Sequence, residues 1–321
     1  MKFTRILIKG INFIYCLWNL KSIQLAYLLV YYKVDLACIK HLAVSGDQLV
    51  FKKTGNTIFI KQLPLFGFLV HMLFDLLENE SVKVVALEES YFIVEVHNLK
   101  FKVASLSNMA VLYEIFIQKI YDITLTSQNI IVLDIGMNVG VASHYFASMP
   151  NVKAVYGFEP FPETFEEAVF NASLNAHLAL NIIRKNSGVS DTSATKSIPL
   201  FESGSLSAST TEQQNTFGKI PGKYISIDLI AAKEILSDII SRYPDSRLML
   251  KIDCEGEEYA IFESLQHTQL LDSVDCILVE WHEKGAAPIT KFLEENGFQF
   301  HHIPNDTLNC GMIYAFKLNS K

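Results

Sequence analysis

A glycine-containing turn in the middle of the chain has the residue types needed to bind a small ligand. An apolar run at 130–133 predicts a buried strand, the turn after it contains Gly136 and Gly140, and helical spacing begins at Val141. This order lets a ligand approach the backbone at the carboxyl edge of a parallel sheet. Asp134 occupies the first glycine position of a dinucleotide fingerprint, where a carboxylate would repel pyrophosphate. The turn therefore favours a ligand with positive groups and no phosphate, such as S-adenosylmethionine.

A second carboxylate, Glu159, ends the next predicted strand. It follows Gly136 by 23 residues, close to the offset of about 20 residues at which an acid binds ribose hydroxyls. The structural alternative is that Asp134 caps the next helix and that Glu159 is a solvated strand end. We expect the cofactor to be held by these residues of the turn and the strand end: Asp134, Gly136, Asn138, Gly140 and Glu159.

The third predicted strand ends in a polar turn at 186–191. In a sheet of this kind the turn lies beside the adenine, so Ser187 or Asp191 could hydrogen bond to the base edge. An ordinary turn explains each of these residues equally well.

Acidic residues and a histidine follow the last two strands of the predicted parallel series. Asp253 and Glu255 come after one strand, and Glu280 and His282 end the other. Because neighbouring parallel strands end at the same edge of a sheet, we expect these side chains to converge beside the cofactor.

Such a cluster could remove a proton from a methyl acceptor. His282 is a candidate base because imidazole titrates near neutral pH, and Asp253 or Glu255 could serve if crowding raises its pKa. The same donors could hold Mg²⁺ or Mn²⁺, so a divalent metal stays open without being assigned. The structural alternative is that Glu255 caps a helix and Lys251 pairs with a carboxylate.

The elements that position these motifs alternate between strand and helix. This alternation predicts βαβ units and a doubly wound parallel sheet. The two final strands, 298–303 and 310–317, are joined too closely for a parallel crossover and should be antiparallel. The polar segment 202–222 predicts a surface loop, with a substrate-facing flap as the alternative. The parallel strands of this sheet are predicted from apolar runs at 129–133, 154–158, 181–184, 248–252 and 275–280.

The part of the chain before this alternation predicts a mixed α/β accessory region at 1–124, beside a catalytic domain at 125–321. Residues 5–32 are strongly apolar but are interrupted before they reach the about 20 residues of a spanning helix. Buried or interfacial helices are expected there, with membrane association as the alternative. The predicted elements are helices at 1–45, 64–79 and 106–121, a hairpin at 48–61, and strands near 82–87, 91–96 and 99–103.

The charge and the cysteine content of the chain indicate which classes of partner and which cellular compartment to expect. The net charge is −7 and the sequence has no basic stripe, which argues against a nucleic-acid partner. The five cysteines form no C-x-x-C pair, and their number is odd. That pattern fits the reducing cytoplasm better than a disulfide framework.

Together the motifs resemble those of the FkbM-type methyltransferases. The matching segments are VLDIGMNVG at 132–140, GFEP at 157–160, LKIDCEGEE at 250–258 and LVE at 278–280. The resemblance implies a class I methyltransferase fold with seven strands, the last antiparallel. It also implies O-methylation of a sugar, glycolipid or natural-product hydroxyl by S-adenosylmethionine. Met137 departs from the family's usual Ala, and Cys254 from its usual aliphatic residue.

Two other functions remain as alternatives. A nicotinamide-dependent oxidoreductase would use the same fold, although Asp134 argues against a pyrophosphate in the turn. A binding module without catalytic activity would retain the fold, although the acidic cluster argues against that.

Overall fold

The computed structural model describes residues 2–200, 223–305 and 309–317, which divide into two units, Met1–Asp122 and Ile123–Lys321. The predicted loop at 202–222 lies outside the described residues. The functional division at 124/125 stays a prediction.

The first unit opens with helices and a small antiparallel sheet. Ser22 begins the second helix by accepting a hydrogen bond from the backbone of Leu25, and Asp35 caps the third in the same way at Ala37. The predicted hairpin is confirmed. The helix predicted over 1–45 is wrong at its end, where residues 42–45 form a strand that pairs with the hairpin. The elements are α1 (Lys2–Leu20), α2 (Ile23–Tyr31), α3 (Leu36–Ile39), β1 (Leu42–Ser45), β2 (Gln48–Phe51) and β3 (Thr57–Phe59).

The helix predicted at 64–79 is divided in two. Gly67 has a φ of 49° and a ψ of −131° inside a 3-10 segment that runs Ile60–Leu69, and a regular helix starts at Val70. Within the described residues, one helical stretch, Ile60–Glu78, has the length and composition of a membrane span, and half of it is buried in the protein. Its side chains Phe66 and Phe74 belong to the core, as expected of an internal helix.

A second antiparallel sheet, in the order β4–β5–β6, completes the first unit and confirms the three predicted short strands. The elements are the 3-10 segment Ile60–Leu69, α4 (Val70–Glu78), β4 (Val82–Leu87), β5 (Phe92–Val96), β6 (Leu99–Val103) and α5 (Leu106–Leu112), which continues as a π-turn at Tyr113–Ile117.

The second unit contains the alternating strands and helices. Its elements are β7 (Ile130–Ile135), α6 (Val141–Ala147), β8 (Val152–Phe158), α7 (Pro162–Leu174), β9 (Ile182–Lys185), β10 (Gly188–Ser190), β11 (Ala194–Leu200), β12 (Lys223–Ala231), α8 (Ala232–Arg242), β13 (Leu248–Ile252), α9 (Glu258–Leu265), β14 (Val274–His282), α10 (Ala287–Glu295), β15 (Phe298–Asn305) and β16 (Cys310–Lys317).

Seven of these strands form one sheet in the order β15–β16–β14–β13–β7–β8–β9. The last strand, β16, runs antiparallel to both neighbours, as the closely spaced final pair predicts. The remaining pairs are parallel. This is the class I methyltransferase arrangement, and the expected fold is confirmed.

The central strands are covered on both faces. Every residue of β7 and β13 is buried, which explains why both segments are continuous apolar runs rather than alternating ones. Two charged residues, Asp134 and Lys251, interrupt these apolar runs. They are buried as well, and they lie opposite each other in the register of the two strands.

A small sheet, β10–β12–β11, was not foreseen. β12 pairs antiparallel with β11 and parallel with β10, beyond the end of the third strand of the large sheet. Its first strand, β10, lies within the segment 186–191, for which the sequence predicts only a polar turn.

Candidate functional site

The glycine turn lies against the end of β13. Gly136 has a φ of 78°, and a Cβ at this position would lie 1.7 Å from the backbone oxygen of Asp253. No side chain fits there. Gly140 has a φ of 82° and begins α6, where a Cβ would make only an ordinary contact, 3.4 Å from Ala168. The close packing of Gly136 brings the turn and the first acidic residue together at one sheet edge.

Two other residues shape the turn. Met137 is buried beneath it and occupies the space beside Gly157, where a Cβ would lie 2.3 Å from the Met137 sulfur. Asn171, on α7, donates a hydrogen bond of 2.9 Å to the backbone oxygen of Val139. The turn is thus supported from the neighbouring strand and from the next helix.

Glu159 is joined to the turn by its carboxylate. One oxygen accepts a hydrogen bond of 3.0 Å from the backbone N–H of Asn138, and the other accepts one of 3.0 Å from Phe161. The residue is only 5% exposed, so it is not a solvated strand end. Burial raises its pKa to about 7 despite these two hydrogen bonds. Each oxygen keeps a lone pair that a ribose hydroxyl could use.

Asp134 is buried under the turn instead of facing out of it. Its carboxylate accepts a hydrogen bond of 2.6 Å from Ser143 Oγ and lies 3.2 Å from Lys251 Nζ. Lys251 also donates to the backbone oxygen of Gly136, at 2.5 Å, and lies 3.6 Å from Asp253 Oδ2. Asp134 therefore does not cap α6, and Lys251 neutralises it from within the chain. Its direct contact with a ligand stays a prediction.

The two candidate adenine-binding residues of the polar turn after β9 differ in their exposure to solvent. Ser187 is buried, and its hydroxyl has no hydrogen-bond partner among the described residues. Asp191 is exposed, and its carboxylate accepts hydrogen bonds of 3.1 Å from Ser190 and Thr192. Asn186 joins this turn to the cofactor side through a hydrogen bond of 2.9 Å to the backbone oxygen of Glu159. The adenine contacts of Ser187 and Asp191 stay predictions.

The acidic cluster converges as the strand order requires. His282 Nε2 lies 3.8 Å from Glu255 Oε2 and 4.0 Å from Glu280 Oε1. Asp253, Glu255 and His282 can each bring one ligand atom within 4.8 Å of the others. Glu255 is a non-glycine residue at a φ of 54°, so the backbone is held in a strained form at this place.

Glu258 is an organising residue that the sequence analysis did not identify. It is fully buried, and its Oε1 accepts a 2.7 Å hydrogen bond from the His282 backbone N–H and lies 3.2 Å from His282 Nδ1. Its Oε2 accepts a 2.7 Å hydrogen bond from Gly256 N–H. From sequence, its position at the start of a helix indicates only that its negative charge stabilises the helix dipole. Its contact with His282 joins the start of α9 to the end of β14, 24 residues further along the chain, so no local sequence pattern indicates it.

Glu257, the neighbouring acid, ties this segment to the small sheet. It accepts a hydrogen bond of 2.6 Å from Ser190 Oγ, and its other oxygen lies 3.2 Å from Lys196 Nζ. The two adjacent glutamates therefore have different partners: Glu258 contacts the acidic cluster, and Glu257 contacts residues of the small sheet.

The neighbours of His282 act on its pKa in opposite directions. Burial alone would lower the pKa, but the hydrogen bond to Glu258 and the charges of Glu255 and Asp253 raise it to about 10. This value favours the imidazolium at neutral pH, and the role of His282 as a base stays a prediction. Burial is also the largest influence on Glu255, and it raises the pKa of that carboxyl to about 7 although the nearby His282 lowers it. Glu255 is thus the group of this pair that titrates near neutrality.

Comparisons with known proteins agree with this geometry. The pattern described as "Methyltransferase FkbM domain" matches residues 134–300, about half of the chain. "Methyltransferase sdnD" of Sordaria araneosa is 27% identical over 213 residues, which cover 58% of this chain and 80% of that protein. "Methyltransferase 1" of Beauveria bassiana is 24% identical over 201 residues, with 58% and 78% covered.

A solved structure, methyltransferase FkbM from Methylobacillus flagellatus KT, is similar with a TM-score of 0.39 and 14% identity, covering 61% of this chain and 46% of that chain. The nicotinamide alternative is not supported, because the pattern that matches is a methyltransferase domain. The chain belongs to the FkbM methyltransferase domain family, whose methyl donor is S-adenosylmethionine.

Proposed function

We propose that the chain transfers a methyl group from S-adenosylmethionine to a hydroxyl of a small-molecule or glycan acceptor, such as a sugar, a glycolipid or a natural product. One observation carries this proposal. The cofactor turn at Gly136 packs directly on the backbone oxygen of Asp253, which begins the acidic cluster. A donor held by the turn would therefore lie beside carboxylates able to handle the proton of an acceptor.

The residues of the turn fit the donor. Each carboxylate oxygen of Glu159 keeps a lone pair for a ribose hydroxyl, and Ser187 offers a buried hydroxyl that forms no hydrogen bond with any described residue. The missing side chain at Gly136 leaves the backbone open to close approach. S-adenosylmethionine supplies a methyl group on a positively charged sulfur.

The acidic cluster would take part on the acceptor side. The acceptor oxygen bonds to the methyl carbon, the carbon–sulfur bond breaks with its electron pair going to sulfur, and the hydroxyl proton goes to the Glu255 carboxylate. Glu255 suits this role because its pKa of about 7 leaves it partly ionised yet basic at neutral pH. The protonated His282, held by Glu258, orients Glu255 and keeps that pKa from rising further.

A divalent metal would compete with this arrangement for the same atoms. Asp253, Glu255 and His282 are spaced closely enough to share an ion. Both ring nitrogens of His282 already face carboxylates, Nδ1 at 3.2 Å from Glu258 and Nε2 at 3.8 Å from Glu255, so an ion would have to displace these contacts. We propose transfer without a metal, and a metal-assisted reaction is the alternative that treatment with EDTA decides.

A labelled-methyl transfer screen tests the proposal. The purified chain would be given radiolabelled S-adenosylmethionine and sugars, glycolipids or polyketide-like hydroxyl compounds, with and without EDTA. We expect label in a hydroxyl compound and no loss with EDTA. Label that enters only amines or RNA would overturn the hydroxyl assignment, and transfer abolished by EDTA and restored by Mg²⁺ would overturn the metal-free mechanism.

One variant, compared with the unmodified chain, separates binding from transfer. Glu255→Gln keeps the size of the side chain but cannot take a proton, so it should bind the donor normally and transfer slowly. If the unmodified chain bound the donor tightly yet labelled none of these acceptors, the interpretation as a binding module would be favoured over that of an enzyme.

A further inference from the structure

The outer face of α1 is apolar. Ile11, Ile14, Tyr15 and Trp18 are all exposed, and Trp18 is 83% exposed. Their spacing is three, four and seven residues from the first, which places them on one side of the helix. The opposite side carries Cys16, Leu20 and their neighbours, which are buried in the unit. The helix therefore buries one apolar face and leaves a second one open.

The outer face of α2 has the same character. Ile23, Tyr27 and Tyr31 are exposed at intervals of four residues, and the Tyr27 and Tyr31 rings stack with centroids 6.1 Å apart. The inner face packs Leu25 and Leu29 into the core. Two consecutive helices thus expose large apolar side chains on faces that the fold of this unit leaves uncovered.

The charges around these faces have one sign. The first 34 residues contain five basic residues and no acidic residue, in a chain whose net charge is −7, and the first acid is Asp35. Of the five, Lys9, Lys21 and Lys33 have described side chains, and all three are exposed. Lys9 lies seven residues before Cys16 and therefore on the inner side of α1, whereas Lys21 and Lys33 follow the ends of the two helices, next to the exposed faces. Long basic side chains can lie along apolar surface while their charges reach out to anions.

We propose that the exposed faces of α1 and α2 dock flat on an anionic lipid bilayer. The aromatic residues Trp18, Tyr27 and Tyr31 are of the kind enriched at the boundary between headgroups and acyl chains. The lysines complement anionic headgroups, and each basic residue near such a surface adds about 1 kcal/mol of attraction. The positive charge disfavours a second copy of the same face as the partner, since both copies would repel each other.

Vesicle sedimentation with the full chain tests the proposal. We expect the protein to sediment with phosphatidylcholine vesicles that contain phosphatidylglycerol, not with phosphatidylcholine alone, and to be released as salt rises. Lys21→Glu and Lys33→Glu together should weaken binding by at least about tenfold. Trp18→Ser should also weaken it, whereas Leu180→Ser, which alters a 95% exposed leucine of the second unit, should not.

Fluorescence provides an independent readout. The chain has two tryptophans, and Trp281 is buried, so Trp281→Phe leaves Trp18 as the reporter. Its emission should shift to shorter wavelength when anionic vesicles are added. Equal binding to neutral vesicles, or no shift of Trp18, would overturn the proposal. Dimerisation in ultracentrifugation without vesicle binding would favour a second copy. Circular dichroism of each variant checks that the fold is retained.

Discussion

Lys251 Nζ lies 3.2 Å from Asp134 Oδ1, and this ion pair between two central strands is almost closed to solvent. Removing one partner leaves an uncompensated charge in the interior, which typically costs about 3–5 kcal/mol. We predict that Lys251→Met lowers the free energy of unfolding in urea by this amount. Asp134→Asn combined with Lys251→Met should recover part of the loss, because no unpaired charge remains. An unchanged urea midpoint for the single variant would contradict the structural role of the pair.

The two glycines of the cofactor turn should respond differently to alanine. Both have positive φ, so each substitution costs about 1–2 kcal/mol in backbone strain. Only at Gly136 does the new methyl group collide with backbone, at Asp253. We predict that Gly136→Ala abolishes donor binding in a calorimetric titration, whereas Gly140→Ala weakens it mildly. Equal losses of donor affinity in the two variants would mean that backbone strain, and not the collision with Asp253, causes the loss.

Donor affinity should increase with pH through about 7. Ribose hydroxyls donate to the ionised form of Glu159, and burial raises the pKa of this carboxyl to about 7, so protonation below that pH competes with binding. Hydrogen bonds to charged groups contribute about 1.5–3 kcal/mol, so Glu159→Gln should weaken binding by about tenfold or more. Titrations one unit below and above the pKa check both statements. A pH-independent affinity in the unmodified chain would argue against the ribose assignment.

Transfer by the unmodified chain should also rise through pH 7, for a separate reason. The base must be unprotonated, and Glu255 loses its proton near that pH. We predict that Glu255→Gln lowers the transfer rate by about 100-fold or more, as expected for loss of a general base. The rate at saturating donor should then lose its pH dependence, which separates this effect from that of Glu159. A normal rate in the variant would assign the proton to another group.

Glu258 should control the charge state of His282. The pKa of His282 is raised in the folded protein from 6.5 to about 10, so the stability it contributes is complete below 6.5 and is lost as pH rises through about 10. Glu258→Gln removes a principal cause of this shift. NMR titration of the imidazole should show a lower pKa, and urea unfolding should lose less stability between these pH values than in the unmodified chain. An unaltered imidazole titration would contradict this role.

The large sheet is predictable from sequence because its signals are local. β7 and β13 are apolar runs buried on both faces, and the glycine turn marks the point where a helix follows. The break at Gly67 is not predictable in the same way, since one glycine inside an apolar helix pattern is compatible with an unbroken helix. The small sheet is missed because β10 and β12 pair across about 40 residues of sequence, far beyond any local signal.

In the candidate site, too, local signals are predictable from sequence and contacts between distant segments are not. Strand ends in a doubly wound sheet share an edge, which is why Asp253, Glu255 and His282 are placed together correctly. The partners that set their charge are not predictable, because the contact of Glu258 with His282 joins a helix start to a strand end and that of Lys251 with Asp134 joins two strands, each far apart in sequence. For this reason the sequence alone does not reveal the groups that raise the pKa of His282.

Met137 and Gly157 share one volume: the methionine fills the space that any side chain at the glycine would need. A Cβ at position 157 would also lie 3.0 Å from Ser143 Oγ, so a smaller residue at position 137 would not by itself make room for a side chain there. The family's usual Ala would leave the volume of the methionine side chain unfilled, and the glycine gives this chain room to fill it. The larger residue at position 137 is thus accommodated by a neighbour that has no side chain, and it needs no second substitution.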